Sequence, residues 1–131
     1  RAGCLIAHPD TLEPTRLALS PYNLNVAAAV ALRAAIRDTA WHSRYVRESA
    51  ESRQSIYSFC EARGITYYES GANFVLVRVG GRASELTALL ADRGIFIRDR
   101  STQPGCAGCV RITAGLTEHT ARCLEVLGEL L

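Results

Sequence analysis

The stretch from Arg98 to Gly115, R-D-R-S-T-Q-P-G-C-A-G-C-V-R-I-T-A-G, leaves this chain few folds to choose from. Two apolar runs, Ile95-Phe96-Ile97 and Val110-Arg111-Ile112-Thr113, flank a loop of Pro, Gly and Cys, the pattern of two strands and their connection. Side chains alternate between the faces of a strand, so placing Val110 and Ile112 on a core sends Arg111 and Thr113 to the opposite face. Arg98 and Arg111 stand where a core strand would carry Val or Ile. A guanidinium grips carboxylate or phosphate at two points and keeps its charge at any working pH. Periodicity leaves two alternatives open: an ordinary solvated sheet face, or a two-arginine pocket for an anion.

The rest of the chain follows from that sheet. Ile65-Thr66-Tyr67-Tyr68 and Asn73 to Val79 read as two earlier strands, and Gly80-Gly81 leads into a helix with Leu86, Leu89 and Leu90 at helical spacing, closed by Gly94. A last helix begins at Thr117, with Leu124, Val126, Leu127, Leu130 and Leu131 on its inner side. From Gly64 onward the order is therefore strand, strand, helix, strand, strand, helix, an α+β unit with helices on one sheet face. Upstream, Thr39 to Arg63 is a long polar helix with a thin stripe of Trp41, Tyr45, Ile56, Phe59 and Cys60, the composition of a helix that bridges two bodies. A domain boundary is expected inside it. Leu24 to Ile36 is apolar on nearly every side, which predicts a helix buried all round or pressed against a partner, with Asn23 placed to cap it. His8-Pro9-Asp10 opens a short helix with proline in its first turn. Arg1 to Ala7 reads as a strand buried on both faces, as in an α/β sheet, and its abrupt start is that of a piece of a longer chain.

Composition excludes several classes. A formal charge of +2 without a basic run lacks the electrostatic footprint of a nucleic-acid binder, and a stacking face of exposed aromatics is not evident either, Tyr67 and Phe74 being the candidates for one. No apolar stretch approaches the length of a membrane span and no signal peptide opens the chain, so a cytoplasmic protein without a membrane partner is expected. Five cysteines, an odd and scattered set, argue for free thiols rather than a disulfide framework. Cys106-x-x-Cys109 is a redox or zinc spacing, but no second such pair exists and His8, His42 and His119 stand at no metal-finger spacing; no metal site is expected. There is no Gly-rich phosphate loop, no Ser/His/Asp set, and Glu48, Glu51, Glu61 and Asp92 are most simply solubility charges on helices. All fifteen basic residues are arginine, and lysine is absent.

Several ordered motifs resemble one family along the whole chain. Arg1-Ala2-Gly3 looks like the end of the signature around the cofactor lysine in fold-type-I, class I/II pyridoxal-phosphate aminotransferases, and the histidinol-phosphate branch of that family is the most similar. Pro21-Tyr22-Asn23-Leu24-Asn25, Gly71-Ala72-Asn73-Phe74-Val75, Arg93-Gly94-Ile95-Phe96-Ile97-Arg98-Asp99 and Pro104 to Thr113 carry the rest of the resemblance. It implies residues 1–50 as the end of the large cofactor-binding domain with the start of the bridging helix, and residues 51–131 as the small C-terminal domain. It also implies pyridoxal 5'-phosphate as cofactor, with Arg1 on its phosphate. Arg111 would grip the substrate carboxylate, or here the phosphate of histidinol phosphate, with Arg98 in the same pocket; Tyr22 and Asn73 match motif positions without an assigned contact. The implied reaction is amino transfer between histidinol phosphate and 2-oxoglutarate in histidine biosynthesis, by a homodimer that the apolar helix from Leu24 to Ile36 would help to close. The catalytic lysine is not in this chain, which should therefore be inactive alone. Alternatives are a threonine-phosphate decarboxylase or aromatic aminotransferase of the same group, or, outside it, a free-standing α+β ligand-binding module.

Overall fold

The structure, a computed structural model, describes residues 2–20 and 24–131. It divides into two compact units, residues 1–42 and 43–131.

The first unit holds two helices and the start of a third. Helix α1 (Pro9–Leu17) begins on proline as its sequence predicts, and α2 (Val26–Arg37) begins at Asn25, whose side chain accepts from the backbone N–H groups of Ala27 at 2.8 Å and Ala28 at 3.4 Å. The cap is thus Asn25; Asn23, expected in that role, lies outside the described residues. Helix α3 (Thr39–Glu61) follows almost at once, Asp38 accepting from the N–H of Trp41 at 2.9 Å. One expectation fails here, and of the two alternatives for Leu24 to Ile36, burial all round is not met within the unit while a face for a partner stays open. Residues 2–7 form no strand and Ile6 is 90% exposed, because a strand needs a ladder partner and none lies beside this run among the described residues. Helix α2 buries none of its residues: its apolar sides, including Val26 and Ile36, have no covering element within the unit.

The second unit is a four-stranded antiparallel sheet in the order β1-β2-β4-β3, made of β1 (Tyr67–Tyr68), β2 (Phe74–Arg78), β3 (Arg98–Asp99) and β4 (Cys109–Thr113). A 3₁₀ turn (Gly80–Arg82) runs into α4 (Ala83–Asp92), and α5 (Thr117–Leu130) closes the chain. The strand-strand-helix-strand-strand-helix order predicted from the sequence is the one observed. Ile56 and Cys60 of α3, Val75 and Val77, Leu86 and Leu90, Val110 and Ile112, and Leu124 and Leu127 form one core, with the helices on one face of the sheet. Leu131, expected inside, is 45% exposed one residue past the end of α5.

Local chemistry fixes the ends. Gly64 at φ 63° and Gly94 at φ 76° sit just past α3 and α4, and in both places the next residue donates back five positions: Ile65 to Cys60 O and Ile95 to Leu90 O, each at 2.9 Å. Only the left-handed backbone region permits that closing bond, and glycine enters it without a Cβ clash. The stripe on α3 differs from expectation: Trp41 is 52% exposed, while Ser49 and Ser52 are buried. Their hydroxyls donate to Ala114 O at 2.8 Å and Gly115 O at 2.9 Å, the two carbonyls just beyond the end of β4. Small hydroxylated residues here let helix and strand approach closely while satisfying carbonyls that water no longer reaches.

Candidate functional site

The helices cover one face of the sheet and leave the other open. Pairing sets Tyr68 opposite Leu76, Leu76 opposite Arg111, and Arg111 opposite Arg98, so these four residues form one row across all four strands. By alternation the row lies on the face opposite Val75, Val77, Val110 and Ile112, which are all buried in the core. Phe74 and Thr113, a paired couple, flank the row on one side, and Arg78, paired with Cys109, lies on the other.

Arg98 and Arg111 are therefore direct cross-strand neighbours, an arrangement of like charges that destabilises a sheet unless something neutralises it. Among the described residues no carboxylate lies within ion-pair distance of either. The adjacent carboxylate, Asp99, is engaged elsewhere: it accepts from Ser101 N–H at 2.8 Å, and Ser101 holds its pKa below the usual carboxylate value. Arg111 is half-buried, its guanidinium carbon 5.1 Å from the centroid of the Phe74 ring, which fixes the fork over β2. Arg98 is exposed at the sheet edge. Two arginines paired on one sheet face, with no ion-paired carboxylate among the described residues, are suited to a ligand with carboxylate or phosphate oxygens.

The sheet brings Arg98 and Arg111 together. Arg1 and Tyr22 lie outside the described residues, and Asn73 acts here through its backbone, its carbonyl accepting from Ala114 N–H at 2.9 Å. Arg98 itself departs from the expected strand. The ladder covers Arg98–Asp99, not Ile95 to Ile97, because the chain leaving Gly94 crosses to the sheet before it pairs; Ile97 is apolar for core packing while Phe96 stays 82% exposed.

Two residues on the open face were not singled out as sites. Arg78 donates to the Tyr68 hydroxyl at 2.6 Å, a bond that raises the Arg78 pKa, and alternation applied to β2 as it was to β4 finds both Arg78 and Leu76. Tyr67, named as a stacking aromatic, is on the helix side: it stacks on Tyr57 at 4.7 Å and donates to Glu61 at 2.6 Å, which pushes its pKa up to about 12.

The chain is similar to known proteins along nearly its whole length. The model of aminotransferase class I and II matches residues 1–126. The chain belongs to that family. Aligned over its whole length it is 33% identical to the histidinol-phosphate aminotransferase of Geobacillus sp. (strain WCH70), of which it covers 36%. It thus spans about a third of the length of the curated relatives it matches. The solved histidinol-phosphate aminotransferase of Sinorhizobium meliloti, in complex with pyridoxal-5'-phosphate, aligns over 94% of this chain and 35% of its own at 27% identity, TM-score 0.69. A decarboxylase of Sulfurospirillum multivorans shares the fold over 93% of this chain and 36% of its own, at 21% identity and TM-score 0.71.

Pyridoxal-phosphate enzymes tether their cofactor through a lysine. These 131 residues contain none, so by themselves they do not fit that group. What the described residues offer is a pair of arginines set side by side on an open sheet face.

Proposed function

We propose that this chain is the substrate-gripping part of a pyridoxal-phosphate-dependent aminotransferase whose amino donor is histidinol phosphate and whose acceptor is 2-oxoglutarate. The observation that carries this reading is Arg98 set directly opposite Arg111 on the open sheet face, with no ion-paired carboxylate for either among the described residues. Arg111, steadied by Phe74, forks onto phosphate oxygens, and Arg98 adds the second positive charge that a dianion calls for. Membership of the family and the names of its relatives support the reaction class. Arg1 would hold the cofactor phosphate, and the exposed apolar sides of α2 favour a homodimer; by this reading the parent enzyme acts in histidine biosynthesis in the cytoplasm. Without a lysine, the 131 residues alone transfer no amino group.

The test is steady-state kinetics on the complete protein with histidinol phosphate, threonine phosphate and aromatic amino acids as substrates. Histidinol phosphate should be turned over fastest. Arg111→Gln should lower kcat/KM for it roughly 10- to 150-fold, the equivalent of about 1.5–3 kcal/mol for one charge-assisted contact. Faster turnover of threonine phosphate would sink the substrate assignment, and an Arg111→Gln enzyme with unchanged kcat/KM would sink the pocket.

A further inference from the structure

The Cys106-Ala107-Gly108-Cys109 segment, which connects to the start of β4, is held in one shape. Cys109 N–H donates to Cys106 O at 2.9 Å and Gly108 sits at φ 70°, so the four residues form a tight β-turn. Such a turn keeps its first and fourth Cα atoms within about 7 Å. Disulfides span Cα separations of about 4.4–6.8 Å.

The turn is pinned from outside as well. Gly108 O accepts from Val79 N–H at 2.8 Å and Gly80 N–H at 3.0 Å, and Cys109 O accepts from Arg100 N–H at 2.9 Å. Cys109 stands opposite Arg78 in the ladder, and the Arg78 guanidinium feels both sulfurs, its pKa being raised first by the Tyr68 hydroxyl and then by Cys109 and Cys106. By that pairing Arg78 and Cys109 lie on the same face of the sheet. Exposure divides their roles: Cys106 is half-buried and open to attack from solvent, whereas Cys109 is fully buried behind it.

We propose that Cys106 and Cys109 form a redox-modifiable pair that closes to an intramolecular disulfide by exchange with a low-molecular-weight disulfide. The Cys106 thiolate attacks one sulfur of the small disulfide, forming a mixed disulfide and expelling one small thiolate. The Cys109 thiolate then attacks the Cys106 sulfur, closes the protein disulfide and expels the second small thiolate. Two protein thiols are oxidised and one disulfide is reduced to two thiols, so no further oxidant is needed. The other cysteines behave differently: burial pushes the Cys60 and Cys123 thiols up to about 11, and Cys4, exposed and alone, can only carry a mixed disulfide. The proposal is independent of the aminotransferase assignment.

The test treats the chain with oxidised glutathione at mildly alkaline pH, blocks remaining thiols with iodoacetamide and digests with trypsin, which releases Ser101–Arg111 as one peptide holding both cysteines. That peptide should appear two hydrogens lighter than its reduced form, carry no alkyl group, and regain both on treatment with dithiothreitol. Cys109→Ser should trap glutathione on Cys106. A wild-type peptide carrying two alkyl groups, or a stable glutathione on Cys106, overturns the proposal; so does a folded Cys109→Ser chain that captures none. Should Cys109→Ser fail to fold, the wild-type peptide decides alone.

Discussion

Gly108 shows how one residue sets the geometry of the loop between the two arginine-bearing strands. A Cβ placed there would meet Gly80 Cα at 2.9 Å and Gly80 C and O at 3.0 Å, backbone that cannot rotate aside, and its φ of 70° is already unfavourable for any other residue. Gly105, at φ 76°, has nothing within 4 Å of that position. Gly105→Ala should therefore cost about 1 kcal/mol for conformation alone, whereas Gly108→Ala adds a backbone clash and should exceed about 2 kcal/mol. Urea denaturation of both variants measures the difference, and equal losses would mean that the loop is free to leave the 3₁₀ turn. The thiols give a second residue-scale prediction. Cys60 and Cys123 have folded pKa values of about 11 against an ordinary 9.0, burial being the main cause, with Glu61 adding to it at Cys60. Above pH 9 the unfolded thiols ionise while the folded ones keep their protons, so stability is full below about pH 9 and falls as pH rises towards 11. A Cys123→Ala chain should lose less stability than wild type across that window; parallel pH–stability curves would reject this cause. Single residues were also where the sequence was most legible. Alternation sent Arg111 outward and Val110 inward, while Gly108's contact with Gly80, 28 positions away, leaves no local signal.

At the scale of elements, periodicity located the helices and most strands but misjudged what α3 buries. A stripe of Trp41, Tyr45, Ile56, Phe59 and Cys60 was expected; Ile56 and Cys60 do join the core, but Trp41 is exposed and buried contact further up the helix is made through Ser49 and Ser52. Two serines on a polar helix look like solvent residues, because a sequence does not show that Ala114 and Gly115 present unpaired carbonyls there. Ser49→Ala keeps the volume nearly unchanged and leaves the Ala114 carbonyl buried without its donor, so about 1–3 kcal/mol of stability should be lost. Ser55→Ala, on the exposed side of the same helix, is the control and should move the denaturation midpoint little, since its hydroxyl only bonds back to Glu51 O at 3.1 Å. Equal effects would show that Ser49 contributes through helix propensity rather than through the carbonyl. The misplaced third strand has a related cause. Ile95, Phe96 and Ile97 are apolar enough for a strand, but hydrogen-bonded pairing begins only where the chain reaches β4, at Arg98.

At the scale of the whole molecule the two units differ in kind. Every residue of the core, from Ser49 to Leu127, belongs to residues 43–131, and no described residue of 1–42 is buried. A core of Ile, Val and Leu from five elements, α3, β2, α4, β4 and α5, is self-sufficient in the sense that folding requires, whereas α1 and α2 present Leu17 at 86%, Val26 at 79% and Ile36 at 68% exposure. The sequence made α2 legible as a helix that needs cover but could not say what covers it. A chain shortened to residues 43–131 should therefore fold alone, with a thermal midpoint within about 5 °C of the 131-residue chain, a change worth less than about 1 kcal/mol. It should also stay monomeric in light scattering at concentrations where the 131-residue chain associates through its exposed apolar helices. The two readouts separate the alternatives. A large fall in midpoint with monomers in both cases would show that residues 1–42 stabilise the sheet unit. Association by both chains would place the sticky surface on the open sheet face, beside Phe74, Leu76 and Arg111, and not on α2.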